Sequence, residues 1–300
     1  MSGASEMVPG RPGTKQAIGD RFRRRFNLNI DWVTRPLFGF MLAGLAVAAT
    51  IRGGLVFVIF VSLACAAAIR EWHRLFAPRA FLLPATITVV AMLGALLWRL
   101  NAAPFATALS GPFAVLLLGS VCNLLLGASR RQAPLAHAAA PLYIALPALS
   151  LLVVRQTPAH PVWLVVLIFL AVWATDTGAL FSGNLIGGPK LAPRLSPNKT
   201  WAGSFGGLLC AAIISLALAA LLHARIWPVV AFGVLLSLAG QLGDLFESFI
   251  KRRMRRKDSG GLIPGHGGVL DRIDSILFAA PLAAAAILVL GFDPLAGAHP

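Results

Sequence analysis

Residues 247–275 read ESFIKRRMRRKDSGGLIPGHGGVLDRIDS and gather seven of the chain's 26 Lys and Arg and four of its 11 Asp and Glu, with Asp244 a fifth acid just upstream. Carboxylates, cations, glycines and one His crowded beside membrane-length apolar sequence point to a reaction site, because charge in such surroundings is expensive. Gln241, Asp244, Ser248 and Lys251 recur at helical spacing on one face, with Glu247 beside them, while Asp271, Asp274 and Ser275 share a face of the following helix. Both helices leave the same loop, so Asp244 and Asp271 are expected to approach each other. Two neighbouring carboxylates need a proton or a metal between them, and oxygen ligands of this kind suit Mg²⁺, which takes one or two carboxylates and fills its shell with water and substrate phosphates. The competing readings are capping of the helix start by Asp271 and Asp274, and an ion pair between Arg272 and an Asp that ties the two helices together.

The intervening KRRMRRKDSGGLIPGHGG divides into a basic half and a glycine-rich half. The basic half reads either as an anchor for anionic lipid or as part of the site. In the second half Gly260, Gly261, Gly265, Gly267 and Gly268 let backbone approach a ligand and expose N–H groups to phosphate oxygens, and His266 is either a phosphate donor or proton-transfer group or a structural histidine. Upstream, Asp176 stands within apolar sequence and must face a cavity or a partner. The segment from Gly183 to Lys190 is not a Walker A loop, since Pro189 occupies the place of the required Lys and no strand precedes it. Lys190, Arg194 and Lys199, with the turn chemistry of Ser196, Pro197, Asn198 and Thr200, offer either nucleotide donors or an ordered connector.

At 58% hydrophobic and 12% charged residues, the chain lies far from a soluble domain, where about a quarter of residues carry charge. The composition implies an all-α polytopic membrane protein. Apolar stretches near the ~20 residues that cross a bilayer occur around 37–51, 53–69, 82–98, 105–127, 136–154, 161–182, 203–222, 227–247 and 274–291, giving nine expected spans. Three parts follow: a basic, flexible cytoplasmic tail (1–35), N-terminal transmembrane helices (36–155) and a C-terminal transmembrane catalytic region (156–300). The tail has no early apolar core and so lacks the pattern of a signal peptide. The net charge of +15 is explained by topology rather than by nucleic acid: a nine-span layout puts 22 Lys and Arg on one side and only Arg52, Arg99, Arg155 and Arg225 on the other. By the positive-inside rule the N-terminus is cytoplasmic and the C-terminus outside. Cys65, Cys122 and Cys210 fall within spans and read as small buried thiols.

With these residues in view, the chain resembles the phosphatidate cytidylyltransferase, or CDP-diacylglycerol synthase, family. Ser248, Lys251, Arg252, Lys257, Asp258, Gly260, Pro264, His266, Gly267, Gly268, Asp271, Arg272 and Asp274 satisfy its C-terminal signature without a gap, and DTGALFSG, SPNKTW and GQLGDLFES resemble further family motifs. The likeness covers roughly residues 170–280. Ala202 departs from it, standing where relatives commonly carry Glu. The resemblance implies transfer of CMP from CTP to phosphatidic acid in a bacterial inner membrane, with Mg²⁺ and a possible second cation held by Asp244 and Asp271. It implies catalytic roles for Asp244, Asp271, Lys251, His266 and Arg272, and nucleotide or phosphate contacts from Ser196, Lys199, Arg252, Lys257, Gly267 and Gly268. A homodimer is a family-level expectation. The rival readings are an ion-coupled transporter using Asp176, Asp244 and Asp271, and a related CTP-dependent transferase acting on another lipid phosphate or a polyprenol.

Overall fold

The computed structural model describes residues 39–101, 110–262 and 267–298, so the tail expected over residues 1–35 and His266 lie outside the described residues. The chain is mostly helical: α1 (Gly39–Arg52), α2 (Gly54–Phe76), α3 (Leu82–Asn101), α4 (Ser110–Arg130), α5 (Pro134–Arg155), α6 (Pro161–Leu185), α7 (Trp201–Leu221), α8 (Ile226–Arg253) and α9 (Leu270–Leu288). Among the described residues, the seven helices α2 to α8 are long and apolar enough to cross a membrane, the mark of a multi-pass membrane protein. Each of the nine apolar stretches of the sequence contains a helix, but two differ from the rest. Helix α1 falls short of the ~20 residues a span needs, and α9 carries Asp271, Arg272 and Asp274 at its start. Residues 46–300 form one compact unit.

The helices meet where side chains are small, since lipid supplies no hydrophobic force between spans and packing must do so. Helices α6 and α7 make the most extensive contact. There a Cβ on Gly178 would lie 2.8 Å from the Gly206 carbonyl, and one on Gly207 would lie 2.9 Å from the Thr175 carbonyl. Helix α5 opens on Pro134, whose missing N–H costs nothing in a first turn, and near Pro141 and Pro147 it takes a π turn over Pro141–Ala145 in which the Leu146 N–H bonds back to Pro141. Trp72, Tyr143, Phe246 and Phe278 pack around that turn. A buried polar cluster joins α2 to α5: His73 and His137 face each other through their Nδ1 atoms at 2.7 Å, and Thr88 accepts from Asn123 at 2.9 Å. The three cysteines are free; Cys65 is buried as expected, whereas Cys122 is exposed on the outer face of α4.

Among the described residues the all-α expectation meets a small exception, a two-stranded sheet between α6 and α7. Strands β1 (Lys190–Ala192) and β2 (Ser196–Thr200) pair antiparallel with Lys190 opposite Thr200 and Ala192 opposite Ser196. The Leu195 N–H closes the turn on the Ala192 carbonyl at 3.0 Å, and the Trp201 N–H reaches the Pro189 carbonyl at 3.1 Å. The Thr200 hydroxyl accepts from the Gly203 N–H at 3.0 Å and caps α7. The hairpin thus hands the chain directly to a capped helix, with Lys199 one residue ahead of the cap.

Candidate active site

The charged residues of α8, α9, the hairpin and the loop after α8 meet at one end of the bundle. Close approach of α8 to α9 sets the geometry: a Cβ on Gly243 would stand 2.5 Å from the Asp274 carbonyl oxygen, and one on Gly240 would stand 3.3 Å from Ser275. The neighbouring turn of α8 therefore presents Asp244 and Glu247 beside the start of α9. Gln241, one turn earlier, faces α7, accepting from the Ser204 hydroxyl at 2.5 Å and donating to the Ser204 carbonyl at 3.3 Å. Ser237 accepts from Thr175 at 2.7 Å, tying α8 to α6.

Asp244 and Asp271 each have a lysine of their own. Lys199 Nζ lies 2.5 Å from Asp244 Oδ2, in a pair whose side chains are 25% and 33% exposed. Lys251 Nζ lies 2.7 Å from Asp271 Oδ1 and 2.8 Å from Glu247 Oε2. Glu247 is buried, and its Oε1 has no hydrogen-bond partner among the described residues. Asp271 also accepts from the Gly268 N–H at 2.9 Å and from the Ser259 N–H at 3.1 Å, so both of its oxygens are engaged. This joins two of the sequence readings in one residue: Asp271 holds backbone N–H groups at the start of α9 and also faces a cation.

Other acids surround Asp244. Asp176 of α6 is exposed and within electrostatic reach of Asp244, Lys199 and Arg272. A carboxylate within a helix of membrane length requires polar or charged neighbours rather than lipid, and Asp244, Lys199 and Arg272 are such neighbours. Asp274 is buried next to Glu247 and feels Asp244 and Asp176, while its Oδ1 accepts from the Ser275 N–H at 2.7 Å. Arg252 Nε donates to the Leu195 carbonyl at 3.1 Å, which ties α8 to the hairpin turn and steadies the strand bearing Lys199 and Ser196. Lys257 and Arg272 are exposed. Gly267 has φ +79°, and Gly268 uses its N–H on Asp271.

Among the described residues no group of three or more His, Cys, Asp and Glu is set to hold a metal ion. The carboxylates at Asp244 suit a hard cation all the same: Asp244 is partly open and flanked by Asp176 and Asp274, although Lys199 would have to yield its place beside Asp244 Oδ2. A Mg²⁺ there fits the pattern of one or two carboxylates with the rest of the shell from water and phosphate. At Asp271 the Lys251 ammonium already stands where a cation would be.

One buried acid of this region is not legible as a site residue in the sequence. Glu71, at the end of α2, reads within REWHR as part of a juxtamembrane basic stretch, yet its Oε2 accepts from the Leu270 N–H at 2.9 Å. The available signal is an acid at the end of an apolar span that also must be buried.

The chain that carries these cation and carboxylate pairs is similar to known proteins. A match to the cytidylyltransferase family runs over residues 33–290. A phosphatidate cytidylyltransferase of Brucella suis biovar 1 (strain 1330) is 48% identical over 146 residues, covering 48% of this chain and 54% of that protein. One from Staphylococcus epidermidis is 52% identical over 116 residues, 38% of this chain and 45% of that protein. The chain thus spans about half the length of these two curated relatives. A phosphatidate cytidylyltransferase of Staphylococcus aureus (strain COL) is 33% identical over 234 residues, 77% of this chain and 90% of that protein. With the match extending from before α1 through α9, the chain belongs to the cytidylyltransferase family.

Proposed function

We propose that this protein transfers CMP from CTP to phosphatidic acid, releasing pyrophosphate and forming CDP-diacylglycerol for phospholipid synthesis. The observation that carries the reading is the pairing of Lys199 with Asp244 and of Lys251 with Glu247 and Asp271 at one open, polar end of the bundle. The names of the relatives, phosphatidate cytidylyltransferase, support the same substrates.

The reaction joins a lipid phosphate oxygen to the α-phosphorus of CTP as the bond to the β-phosphate oxygen breaks. The attacking oxygen is already ionised near neutral pH, so the chain need not supply a strong base. Its task is to cancel repulsion between two anions and the charge growing on pyrophosphate. Lys199, Lys251, Lys257 and Arg272 serve this by facing phosphate oxygens. Arg252 and Ser196 hold the nucleotide side through the hairpin, Gly267 and Gly268 serve the phosphate side, and His266 acts as a phosphate donor or proton-transfer group. Asp244 is the carboxylate that would hold Mg²⁺, and the bound ion would supply further cancellation of phosphate charge; Asp271, which Lys251 already neutralises, would join it, with any second cation, only where a phosphate draws Lys251 away.

The layout suits these substrates. With nine spans, a cytoplasmic N-terminus and an outer C-terminus, the site opens to the cytoplasm of a bacterial inner membrane, where soluble CTP and the phosphatidic acid headgroup are both within reach. A homodimer and the absence of nucleic-acid partners complete the reading. Asp271 and Asp274 stand at the start of α9 beside the charged loop, which favours a surface reaction over the ion-coupled transporter. The test is incubation of the purified protein with labelled CTP, phosphatidic acid and Mg²⁺, with and without chelator. A labelled liponucleotide that disappears on chelation supports the reading. Pyrophosphate release without such a product, or activity only on a polyprenol phosphate, overturns the substrate assignment.

A further inference from the structure

The N-cap residue of α9, Val269, offers no side-chain acceptor to the first turn of the helix. The missing acceptor arrives from 199 residues away: Glu71 Oε2 takes the N–H of Leu270 at 2.9 Å and the Ser259 hydroxyl at 3.4 Å. A carboxylate there also meets the positive end of the helix dipole. Glu71 is 2% exposed, and the loop is shaped around it. A Cβ on Gly260 would collide with Glu71 Oε1 and lie 2.6 Å from its Cδ, and one on Gly268 would collide with the Ser259 hydroxyl and lie 2.6 Å from Glu71 Oε2. These glycines therefore leave room for a carboxylate of the chain itself.

Ser259 and Gly268 touch Glu71 on one side and Asp271 on the other. Ser259 gives its hydroxyl to Glu71 and its N–H to Asp271; Gly268 packs on Glu71 and gives its N–H to Asp271. Asp271 in turn holds Lys251. The position of Glu71 is thus passed to the Asp271–Lys251 pair through two residues.

We infer that Glu71 is a positioning residue for the transfer reaction: it caps α9 from α2 and fixes the loop that places Asp271 and Lys251. This rests on the proposed function, in which that pair faces the phosphates. The full chain in detergent is tested as Glu71→Ala, Glu71→Gln, Glu71→Asp, Gly260→Ala and Glu71→Ala/Gly260→Ala. For each, kcat and KM for CTP are measured together with hydrogen exchange over residues 259–275. Because Glu71 does not face the substrate, Glu71→Ala is expected to lower kcat by about 10- to 100-fold with KM for CTP changed by less than about threefold, and to speed exchange at Leu270. Gln keeps the length and an acceptor oxygen, whereas Asp keeps the charge but withdraws it from Leu270, so activity should fall in the order Glu, Gln, Asp. Gly260→Ala should be slow by itself and add less than about twofold to Glu71→Ala, which vacates the contested space. Wild-type kcat and exchange in Glu71→Ala, multiplying losses in the double variant, or Asp outperforming Gln would each overturn the inference. Should Glu71→Ala not fold, the comparison of Gln with Asp decides it alone. A wild-type chain that forms no liponucleotide would defeat the proposed function instead, and the exchange data would still judge Glu71.

Discussion

Replacing Lys251 by Met separates what this lysine does for the fold from what it does for phosphates. Its ammonium makes contacts of 2.8 Å to Glu247 and 2.7 Å to Asp271, and the three side chains are 13%, 1% and 12% exposed. Removing one partner of a buried ion pair costs about 3–5 kcal/mol. Asp271 keeps the N–H groups of Ser259 and Gly268, so the loss concentrates at Glu247, whose other oxygen has no hydrogen-bond partner among the described residues. We expect the low end, about 3 kcal/mol, read as a lower midpoint of thermal unfolding in detergent. Adding Glu247→Gln removes the stranded charge and should return most of that stability. Turnover should behave otherwise: loss of a cation facing developing charge lowers kcat by about 10²–10³, and the second substitution should not restore it. Recovery of turnover together with stability in Lys251→Met/Glu247→Gln would refute the phosphate role and leave Lys251 as a neutraliser of Glu247. An unchanged melting midpoint in Lys251→Met would refute the burial argument.

Asp271→Asn sets an amide NH₂ among three donors, Lys251 and the N–H groups of Ser259 and Gly268, and is expected to abolish CMP transfer while the protein still elutes as a folded species; near-normal activity with Mg²⁺ would reject its role. Gly243→Ala places a Cβ 2.5 Å from the Asp274 carbonyl and 3.2 Å from Phe278, whereas Gly261 has open space around it. The former should lose about 1–3 kcal/mol of stability by overpacking, and Gly261→Ala should melt like the wild type. In a background with the native cysteines replaced, Arg256→Cys should react with a membrane-impermeant thiol reagent only from the cytoplasmic side and Arg225→Cys only from the outside; the reverse pattern would invert the topology.

The helices were legible because a span needs a long apolar run and nothing else in the chain resembles one. The ends of the series were harder, since α1 is short and α9 opens with three charges, which only their neighbours in the bundle can accommodate. The hairpin left no alternating pattern in KLAPRLSPNKT. It forms because Thr200 must cap α7 and the turn closes on Ala192, both of which depend on where α7 starts. The acids and lysines of the site were legible as a set, since so little charge occurs elsewhere in the C-terminal half. Their pairing was not: helical spacing brings Asp244 and Asp271 to the same loop, but Lys199 arrives from the hairpin and Lys251 points from α8 to α9, so each carboxylate is met by a lysine. Glu71 was hidden for a similar reason, because its partner Leu270 lies at the other end of the chain.

This pairing has a consequence for ligand binding. Before substrates arrive, phosphate oxygens must compete with Asp244 for the Lys199 ammonium, so the ion pair opposes nucleotide binding in the absence of a divalent cation. The pair is a quarter to a third exposed, and pairs of that kind contribute about 0–1 kcal/mol. Asp244→Asn therefore frees Lys199 and is expected to bind CTP in chelator as tightly as the wild type or up to about fivefold more tightly, since 1 kcal/mol corresponds to that factor. Yet the same variant lacks a carboxylate for the cation, so Mg²⁺ should tighten its CTP binding less than it does for the wild type, and its turnover should be lost. Titration calorimetry with and without Mg²⁺ measures both arms. Weaker metal-free binding in Asp244→Asn would mean that the carboxylate holds Lys199 in place for the nucleotide instead of competing with it.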